Sequence, residues 1–494
     1  VHPRHPEGHY PFGELAGAGV AVKLATALLE EVPLEMLDLV TIGTVADLVS
    51  MTGENRVLVK LGLQAIKQTQ RLGLLELLKV SGVALQKADE TSIGFSIGPR
   101  LNAIGRLGDP NPAVELMTTF DEERAHVLAE KLDQINNQRK QIVQQTTAEA
   151  TALVNPDDAI HLIAAQGWNP GVLGIVAGNI LKQTGRPAIV LTIDENGVAK
   201  GSGRSVDALD LFGMLTTMRS EFTHFGGHAA AVGLTMPVQN IATLQKKMNE
   251  YISVNQIDLT QATTLLVDGV LELSAVQLKF VEELKKLTPF GTDNPAPHFL
   301  INGAIDSFKR IGSEQQHVKF SLKDEQAQLD VIGFGFGEEE EKIQQPDTKF
   351  VGDLEINEWN GQKKAQLRLI DFASDGLQVI DRRAKYTWDQ QIEGGQVLYL
   401  AFQLKSQHFF AKKLQQEVTL YTETISWSEY DQLVVLDCPD QKGLLKEISQ
   451  KGNFERIYLY LYSPDEAYLN GLPSREQFTK LYQFFRKQPR VDIR

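Results

Sequence analysis

The sequence lacks three features that would each have indicated a class of protein. Its single cysteine, Cys438, excludes an internal disulfide framework and suits a reducing cytoplasm. No apolar run approaches the roughly 20 residues that a membrane-spanning helix needs, so we expect a soluble, cytoplasmic protein. No signal or transit peptide is visible, and the chain opens on Val1 rather than Met, which we take as a hint of truncation.

Positive charge is also scarce. The 49 Lys and Arg are outnumbered by 63 Asp and Glu, for a net charge of −14. Proteins that coat nucleic acid nonspecifically depend on clustered Lys and Arg, so the balance argues against that class. A metal-dependent nuclease is not excluded, because it gathers carboxylates in its active site and keeps basic residues on a narrow track. Composition therefore leaves an enzyme and a binding protein both open.

The first third of the chain is predicted to be mainly helical. Length alone favours three or four domains for 494 residues. The apolar spacing predicts a helix over 16–31, and the apolar run 37–49 suggests a buried, strand-like turn. The pattern over 119–154 predicts one long helix whose acidic first turn suits the helix dipole. Such a helix either bridges two domains or forms a coiled-coil arm, and we favour the bridge.

The middle of the chain alternates strands and helices. Strands at 161–165 and 188–193, with a helix at 172–183 between them, predict a βαβ-like domain that runs to about residue 265. A linker rich in Pro, Gly and Asn follows at 287–297.

The last part of the chain predicts two more domains. Five short strands between 299 and 373, the first at 301–308, fit an OB-type barrel. From about residue 376 a small α/β domain follows, and the acidic run at 338–341 is expected to be a solvated loop. The predicted fold class is therefore multidomain α/β. The predicted divisions are 1–115, a connecting helix at 116–155, 156–285, a barrel at 286–374 and an α/β domain at 375–494.

Asp47 is the first candidate for chemistry. It ends an apolar run within Gly-Thr-Val-Ala-Asp-Leu-Val. A rigidly held carboxylate suits a hard cation such as Mg²⁺ or Mn²⁺, which prefers oxygen ligands. The alternative is a helix cap or a salt bridge to Arg56.

Arg100, Asn102 and Arg106 form the second candidate, within Gly-Pro-Arg-Leu-Asn-Ala-Ile-Gly-Arg at 98–106. Arginines flanked by glycines suit a bidentate grip on phosphate oxygens. Alternatively, both arginines bind carbonyl groups at a helix end.

Two glycine-rich segments could bind an anion. Trp168 and Asn169 lie in a strand–turn–helix segment, where free backbone N–H groups at a helix start attract anions. Trp168 either stacks on a base or is an ordinary buried tryptophan. Ser202 and Arg204 lie in a predicted loop of small residues that would form a phosphate pocket.

His228 follows the pair Gly226 and Gly227, which would let its imidazole approach a phosphate closely, although a lone histidine is more often structural. In the predicted barrel, aromatic residues could stack on bases while basic residues contact the backbone. Core packing is the better alternative for each aromatic residue taken singly. The residues concerned are Phe320, Phe334, Phe336 and Trp359, with Lys363, Lys364 and Arg368.

Five of these motifs, taken in order, resemble RecJ nucleases of the DHH phosphoesterase superfamily. They are GTVADLV at 43–49, PRLNAIGR at 99–106, GWNPGVLGIVA at 167–177, GSGRS at 201–205 and FGGHAAAVG at 225–233. The segments at 10–24 and 289–299 are similar to RecJ as well. The resemblance is strong up to about residue 373 and weaker beyond it. It implies the end of a DHH domain, a connecting helix, a DHH-associated domain, an OB-fold and a RecJ C-terminal domain.

The resemblance also implies an activity. RecJ enzymes degrade single-stranded DNA from the 5′ end to mononucleotides with Mn²⁺ or Mg²⁺, in DNA repair and recombination. It makes Asp47 a metal ligand and His228 a catalytic residue that contacts the substrate phosphate. It makes Trp168 and Trp359 candidates for stacking on DNA, and it implies a monomer whose partners include a RecQ-type helicase and a single-strand-binding protein. The phosphate-binding residues it implies are Arg100 or Arg106, Asn102, Ser202, Arg204, Gly226 and Gly227.

The sequence departs from the family in two respects. It contains no Asp-x-Asp or Asp-His-His motif, so Asp47 alone remains of the expected metal ligands, and we expect this chain to be inactive by itself. Asn169 stands where family members usually have His, which removes any acid–base role there. Two alternatives stay open: a single-strand-binding module without hydrolysis, and a DHH phosphodiesterase of short oligonucleotides or cyclic dinucleotides. The predicted barrel argues against the latter.

Overall fold

The computed structural model describes residues 2–259, 264–374, 376–383, 392, 395–422, 424–463, 479–480 and 483. The chain divides into two units that are not continuous in sequence. The first consists of residues 1–265 and 286–296, and the second of residues 266–285 and 297–494. No helix in these ranges is long and apolar enough to cross a membrane.

The first unit combines a helical region with a five-stranded sheet. Its helices are α1 (Gly17–Leu29), α2 (Leu37–Ala46), α3 (Gly53–Ile66), α4 (Leu72–Val80), α5 (Glu90–Ser92), α6 (Gly98–Leu107), α7 (Asn111–Thr118), α8 (Glu122–Thr151), α9 (Leu173–Thr184), α10 (Leu211–Thr216) and α11 (Ile241–Val254). Its strands are β1 (His161–Gln166), β2 (Ala188–Ile193), β3 (Val198–Arg204), β4 (His224–His228) and β5 (Ala231–Pro237).

The helix predicted at 16–31 is confirmed as α1, but the strand-like turn expected within 37–49 is wrong. That run forms α2, which is buried on most of its surface rather than along one stripe. A helix buried on most sides loses its apolar periodicity, so its sequence resembles a buried strand. Helix α3 approaches it closely at Gly62, where a Cβ would lie 1.7 Å from Thr41 Oγ1.

Helix α8 confirms the long helix predicted over 119–154. Its 30 residues correspond to about 45 Å. Asp121 caps its start by accepting a hydrogen bond of 2.9 Å from the backbone N–H of Arg124. Leu128 and Leu132 belong to the core of the helical region, whereas Val143 and Ala150 belong to a separate core beside the sheet. One helix thus joins the two halves of a single unit, and the bridge between two separate domains stays a prediction.

The sheet of the first unit has the strand order β1-β2-β3-β5-β4. β1 and β2 are parallel with α9 between them, which confirms the predicted βαβ arrangement. The segment 200–205 was predicted to be a loop, and this is wrong, because residues up to Arg204 form β3. Gly201 is needed in that strand because a Cβ there would lie 1.9 Å from the Val190 carbonyl oxygen. The glycines that suggested a loop therefore serve close strand packing.

The second unit contains a seven-stranded sheet of order β6-β7-β11-β12-β10-β9-β8. The strand predicted at 301–308 is two strands, β7 and β8, which are separated at Gly303. The acidic run 338–341 is not a loop but leads into the short helix α13. The elements are β6 (Gly269–Leu271), α12 (Leu278–Leu284), β7 (His298–Asn302), β8 (Ala304–Ile311), β9 (His317–Lys323), β10 (Gln328–Phe334), α13 (Glu340–Ile343), β11 (Thr348–Trp359) and β12 (Gln362–Ser374).

The rest of the second unit forms the small α/β domain that the sequence predicted. Its five strands are all parallel, in the order β13-β17-β16-β14-β15. The elements are β13 (Gln378–Asp381), β14 (Val397–Ala401), α14 (Leu404–Leu414), β15 (Thr419–Leu420), β16 (Gln432–Asp437), α15 (Leu444–Lys451) and β17 (Arg456–Tyr462).

Candidate functional site

Strand register places three of the predicted residues on one face of the five-stranded sheet. Ser202 of β3 lies opposite a residue of β5 that in turn lies opposite Gly226 of β4. Two positions further along, Arg204 of β3 and His228 of β4 both lie opposite Ala231 of β5. Directly paired residues share a face, and so do residues two positions apart on one strand. Ser202, Arg204 and His228 therefore project from the same side of the sheet.

Small residues keep the surface between these side chains low. A Cβ added at Gly226, or at Gly233 beside it on β5, would meet no atom within 4 Å, so the space above both is open. Gly227 has φ 151°, and a Cβ there would lie 2.2 Å from the Ala231 carbonyl oxygen. Position 227 therefore requires glycine because of its backbone conformation and its packing against β5, whereas the approach of His228 to a phosphate stays a prediction.

The start of α9 faces the same group of residues. After β1 the chain turns through Asn169, whose side-chain oxygen accepts a hydrogen bond of 2.8 Å from the Gly171 N–H. Asn169 thus stabilises the turn into the helix. The first N–H groups of a helix lack partners within it and carry the positive end of the helix dipole. A Cβ at Gly174, in the first turn, would lie 3.0 Å from Arg204 Nη2, so the guanidinium packs against this turn.

Arg106 joins the group from α6. Its Nη1 donates to the Gly171 carbonyl at 3.1 Å, and a Cβ at Gly171 would lie 2.0 Å from the Arg106 carbonyl oxygen. The end of α6 therefore packs directly against the turn before α9. Burial, followed by the nearby charge of Arg106, lowers the pKa of Arg204. Two guanidinium groups are thus held close enough to repel each other.

Arg100, the other arginine of the motif, has a different environment. Its Nε donates to Asp133 Oδ1 at 2.8 Å, and its Nη1 donates to the Ser96 carbonyl at 2.7 Å. Only 13% of its side chain is exposed. Arg100 therefore ties α6 to α8 and contacts a carbonyl, as the alternative interpretation held. Asn102 is exposed on α6.

Trp168 is 7% exposed and packs between α8 and α9. Its indole N–H donates to Glu149 Oε2 at 2.7 Å, and this hydrogen bond lowers the pKa of Glu149. This is the ordinary buried tryptophan that the sequence left open, and stacking on a base would require the ring to leave its core. Trp359 ends β11, and its side chain lies outside the described part of the structure.

Asp47 follows the last residue of α2, with an exposed side chain. Its carboxylate has no hydrogen-bond or ion-pair partner among the described residues, and Arg56 donates instead to the Leu287 carbonyl at 2.9 Å. The neighbouring Leu48 has φ 57°, a left-handed conformation that is costly for a branched side chain. A free, exposed carboxylate fits one ligand position of Mg²⁺ or Mn²⁺. Within the described ranges, no group of three or more His, Cys, Asp or Glu could hold a metal ion, so these residues do not form a whole site.

The segment 286–296 holds the turn beside Asp47. Thr292 Oγ1 donates to the Leu48 carbonyl at 2.9 Å, and the Thr292 carbonyl accepts from the Met51 N–H at 2.7 Å. Further along, the Phe290 N–H donates to Glu90 Oε1 at 2.9 Å. This stretch was expected to be a linker, yet it is part of the first unit.

Arg139 of α8 is a site residue that the sequence analysis missed. Burial and the charge of Arg106 both lower its pKa, and its Nη2 donates to Asn136 Oδ1 at 2.7 Å. The available signal was a basic residue in a polar stretch of a helix that is apolar on either side.

The aromatic candidates in the seven-stranded sheet separate into two groups. Phe320 is 2% exposed and belongs to the core, and Phe336 is partly buried against Phe372. Phe334 is 56% exposed. Of the basic candidates, Lys363 and Lys364 are exposed, and Arg368 forms an ion pair with Asp353.

Three family models match the chain. The DHHA1 domain matches residues 157–254, the RecJ OB domain matches residues 267–371, and the C-terminal domain of single-strand DNA-specific exonuclease matches residues 378–494. The first covers the five-stranded sheet with Ser202, Arg204 and His228 but not Asp47, Arg106 or Arg139, and the second covers most of the seven-stranded sheet.

Several relatives that share the same name also match the chain. A protein of Bacillus subtilis strain 168 named single-stranded-DNA-specific exonuclease RecJ is 38% identical over 100% of this chain, which spans 65% of the length of that relative. The protein of that name from Haemophilus influenzae is 32% identical over 75% of this chain and 69% of the relative. A crystal structure of RecJ from Thermus thermophilus in complex with Mg²⁺ covers 99% of this chain and 76% of its own, with a TM-score of 0.64 and 24% identity. The fold is therefore that of this structure.

Proposed function

The chain belongs to the RecJ family, and we propose that it forms the larger part of a nuclease that degrades single-stranded DNA from the 5′ end to mononucleotides. The observation that carries the proposal is the pair of arginines at the start of α9, the half-buried Arg204 and the exposed Arg106 whose charge lies near it. Arginine cannot lose its proton, so a repelling group of this kind is stabilised by a bound anion. The names of the relatives support single-stranded DNA as the source of that anion. A role in DNA repair and recombination is part of the same proposal.

Each residue of the site has a proposed task on a substrate phosphate. Arg204 and Arg106 each offer a planar fork of N–H donors that matches the oxygens of a phosphate group. The Ser202 hydroxyl and the first N–H groups of α9 donate further hydrogen bonds. His228 approaches across the open floor at Gly226 and Gly227 and donates from its imidazole. Asn102, exposed on α6, remains a candidate for the same phosphate. Arg100 is proposed to support the site only by fixing α6.

Asp47 is proposed as one ligand of the Mn²⁺ or Mg²⁺ on which hydrolysis depends. Such ions, when bound, activate water and stabilise the charge on the phosphoryl oxygens. The similar crystal structures of RecJ from Thermus thermophilus are complexes with Mg²⁺ and with Mn²⁺, which supports this choice. Because one carboxylate does not hold a pair of ions, we propose that the 494-residue chain binds DNA without hydrolysing it.

The seven-stranded sheet is proposed to hold the strand on the 3′ side of the bound phosphate. The match to the RecJ OB domain supports this, and the exposed Phe334 offers a ring on which a base can stack. Lys363 and Lys364 would contact the backbone. The five domains predicted from the sequence are part of this proposal.

The test is Mn²⁺-dependent release of mononucleotides from 5′-phosphorylated single-stranded DNA. We expect none from the 494-residue chain and release from a version completed to the full length of the Bacillus relative. Asp47→Ala in the extended version should abolish release, whereas Asp157→Ala, which removes an exposed carboxylate after α8, should leave it intact. Release by the unextended chain itself would contradict our account of its metal site.

The second candidate is a single-strand-binding module without hydrolysis. The isolated position of Asp47 favours it. Tight DNA binding without turnover in both versions would support this candidate over the exonuclease. A preference for dinucleotides over long strands would instead indicate a small phosphodiesterase, and the seven-stranded sheet argues against that.

The cellular context is also a proposal. A RecQ-type helicase and a single-strand-binding protein would supply suitable single strands, and a monomer suffices for the site described. A cytoplasmic location fits the single cysteine. Co-purification from cells, with the Arg204→Glu variant as the control for contacts through DNA, tests the partners.

A further inference from the structure

Helices α6 and α8 run side by side in a way that brings Arg106 and Arg139 together. The ion pair of Arg100 with Asp133 fixes their alignment, at 2.8 Å. Arg106 follows Arg100 by six residues, as Arg139 follows Asp133, so the two lie equally far along. At this end Leu107 packs in the same core as Ile142 and Val143 of α8, together with the start of α9. The side-chain packing therefore places Arg139 beside Arg106 and the turn before α9.

None of the three arginines in this group is neutralised. Arg106 donates to the Gly171 carbonyl, Arg139 to the Asn136 side chain, and Arg204 to the Gly203 carbonyl. None has an ion-pair partner in the part of the chain that the structure describes. Carbonyl and amide oxygens satisfy hydrogen bonds but leave the full positive charge in place. Arg139 and Arg204 are half-buried and Arg106 is exposed beside them, and a bound anion would offset the repulsion among the three charges.

Arg139 is also open to a ligand. It borders a groove of ≈ 670 Å³ between α8 and α9, and no Asp or Glu lines that groove. Asn136, which holds the guanidinium, is 1% exposed, so the contact is anchored on the buried side of the helix. The remaining N–H donors of the fork are free to bind a ligand from the solvent side.

We propose that Arg139 binds a phosphate of the single strand together with Arg106 and Arg204, and so completes a site of three guanidinium groups. This rests on the proposed function, and it adds to it a residue of the connecting helix. The ligand class is a phosphate ester of a single-stranded nucleic acid. The site gains one further charge contact, which has a measurable signature in the salt dependence of binding.

The experiment is to measure the affinity of the 494-residue chain for a short 5′-phosphorylated DNA strand in EDTA at several salt concentrations. We expect Arg139→Gln to weaken binding about 10-fold and to reduce the slope of log K against log salt by about 0.7, the value for one phosphate contact of a single strand. Arg139→Lys should keep the slope and recover part of the affinity, because it keeps the charge and loses the fork.

The matched control is Lys131→Gln, which removes the same charge from an exposed position about 12 Å earlier on α8. We expect less than about a 2-fold effect from it. An unchanged slope in Arg139→Gln, or an equal effect of Lys131→Gln, would overturn the inference. Arg204→Gln distinguishes a failure of the phosphate site from a failure of the role of Arg139. If it also leaves binding unchanged, the proposed phosphate site itself fails, whereas an effect of Arg204→Gln alone rejects only the role of Arg139.

Discussion

Helices α6 and α8 bring arginines together at both ends of their contact, but only at one end is the arginine charge neutralised by an ion pair. At one end Arg100 is paired with Asp133, and both side chains are largely buried. At the other end Arg106 lies beside Arg139, and no carboxylate is paired with either in the described structure. The same short motif supplies Arg100 and Arg106, so residue type does not distinguish them. A charge that the fold has already neutralised stabilises the fold, and one that it leaves unneutralised is available to a ligand.

The largest loss of DNA affinity is expected from reversing a charge at the end where the arginines are not neutralised. Arg204→Glu places a carboxylate at the start of α9 where the phosphate is proposed to bind. We expect affinity for a 5′-phosphorylated strand to fall at least about 100-fold, because an attraction becomes a repulsion. Fluorescence anisotropy in EDTA measures this. Lys246→Glu on α11 is the control for net charge, and an equal loss there would mean that only overall charge matters.

The neutralised end should respond in stability instead. Arg100→Ala removes the ion-pair partner of Asp133 and leaves it only the hydrogen bond from Asn137, which we expect to cost about 2 kcal/mol of unfolding free energy. DNA affinity should change by less than about 2-fold once the protein is folded. Hydrogen exchange along α8 and strand binding at low temperature measure the two quantities. A large loss of affinity with unchanged exchange would place Arg100 in the binding site and remove the contrast.

Arg106→Ala is the mirror image of that variant. We expect affinity to fall about 10-fold, because one charge-assisted contact to phosphate is lost. Stability should be unchanged or slightly raised, since repulsion with Arg139 and Arg204 is relieved. The same two measurements apply. Destabilisation as large as that of Arg100→Ala would show that both ends serve the fold alike.

His161 is a third kind of buried basic side chain, because it can lose its charge. It carries the smallest expected effect of the four predictions. It is 2% exposed, neither ring nitrogen has a described partner, and burial lowers its pKa below the ordinary 6.5. At a pH just below the ordinary pKa, His161 is therefore protonated in the unfolded chain and neutral in the folded chain. Its contribution to stability is full above about pH 6.5 and declines as the pH falls below that value, by at most about 1.4 kcal/mol per pH unit.

The measurement is the unfolding free energy of wild type and His161→Phe between about pH 5 and 8, with the upper end as the reference. We expect the two curves to run parallel above about pH 6.5 and to diverge below it, with the wild type losing more. Parallel curves over the whole range would mean that His161 accepts its proton inside the fold. Unlike His161, the half-buried Arg139 and Arg204 cannot lose a proton in response to burial, which is why we propose that they bind an anion.

The sequence predicted the parts of the site that depend on local order. The turn into α9 and the long helix α8 follow from residues close together in the chain, whereas the hairpin of β4 and β5 was not predicted. Arg139 could not be found in this way, because its importance comes from Arg106, which lies 33 positions earlier and is brought near only by helix packing. For the same reason Arg100 and Arg106 could not be told apart before Asp133 was located.

Two features of the fold escaped prediction for related physical reasons. Helix α2 resembled a strand because it is buried on most sides, which removes the periodicity that identifies a surface helix. Strand β3 resembled a loop because its glycines, which usually mark loops, are required where neighbouring backbones approach each other. In both cases the tertiary environment outweighs local propensity.

The position of segment 286–296 has a consequence for how such a protein can be divided. The chain enters the second unit after residue 265, returns to the first at 286, and leaves it again after 296. A gene fragment that ends at 265 would encode every helix and strand described for the first unit. It would nevertheless lack the stretch that satisfies the backbone groups of Leu48 and Met51. The two units therefore cannot be exchanged independently between relatives. A recombinant would have to take both units from the same relative, or keep a segment 286–296 that matches its first unit.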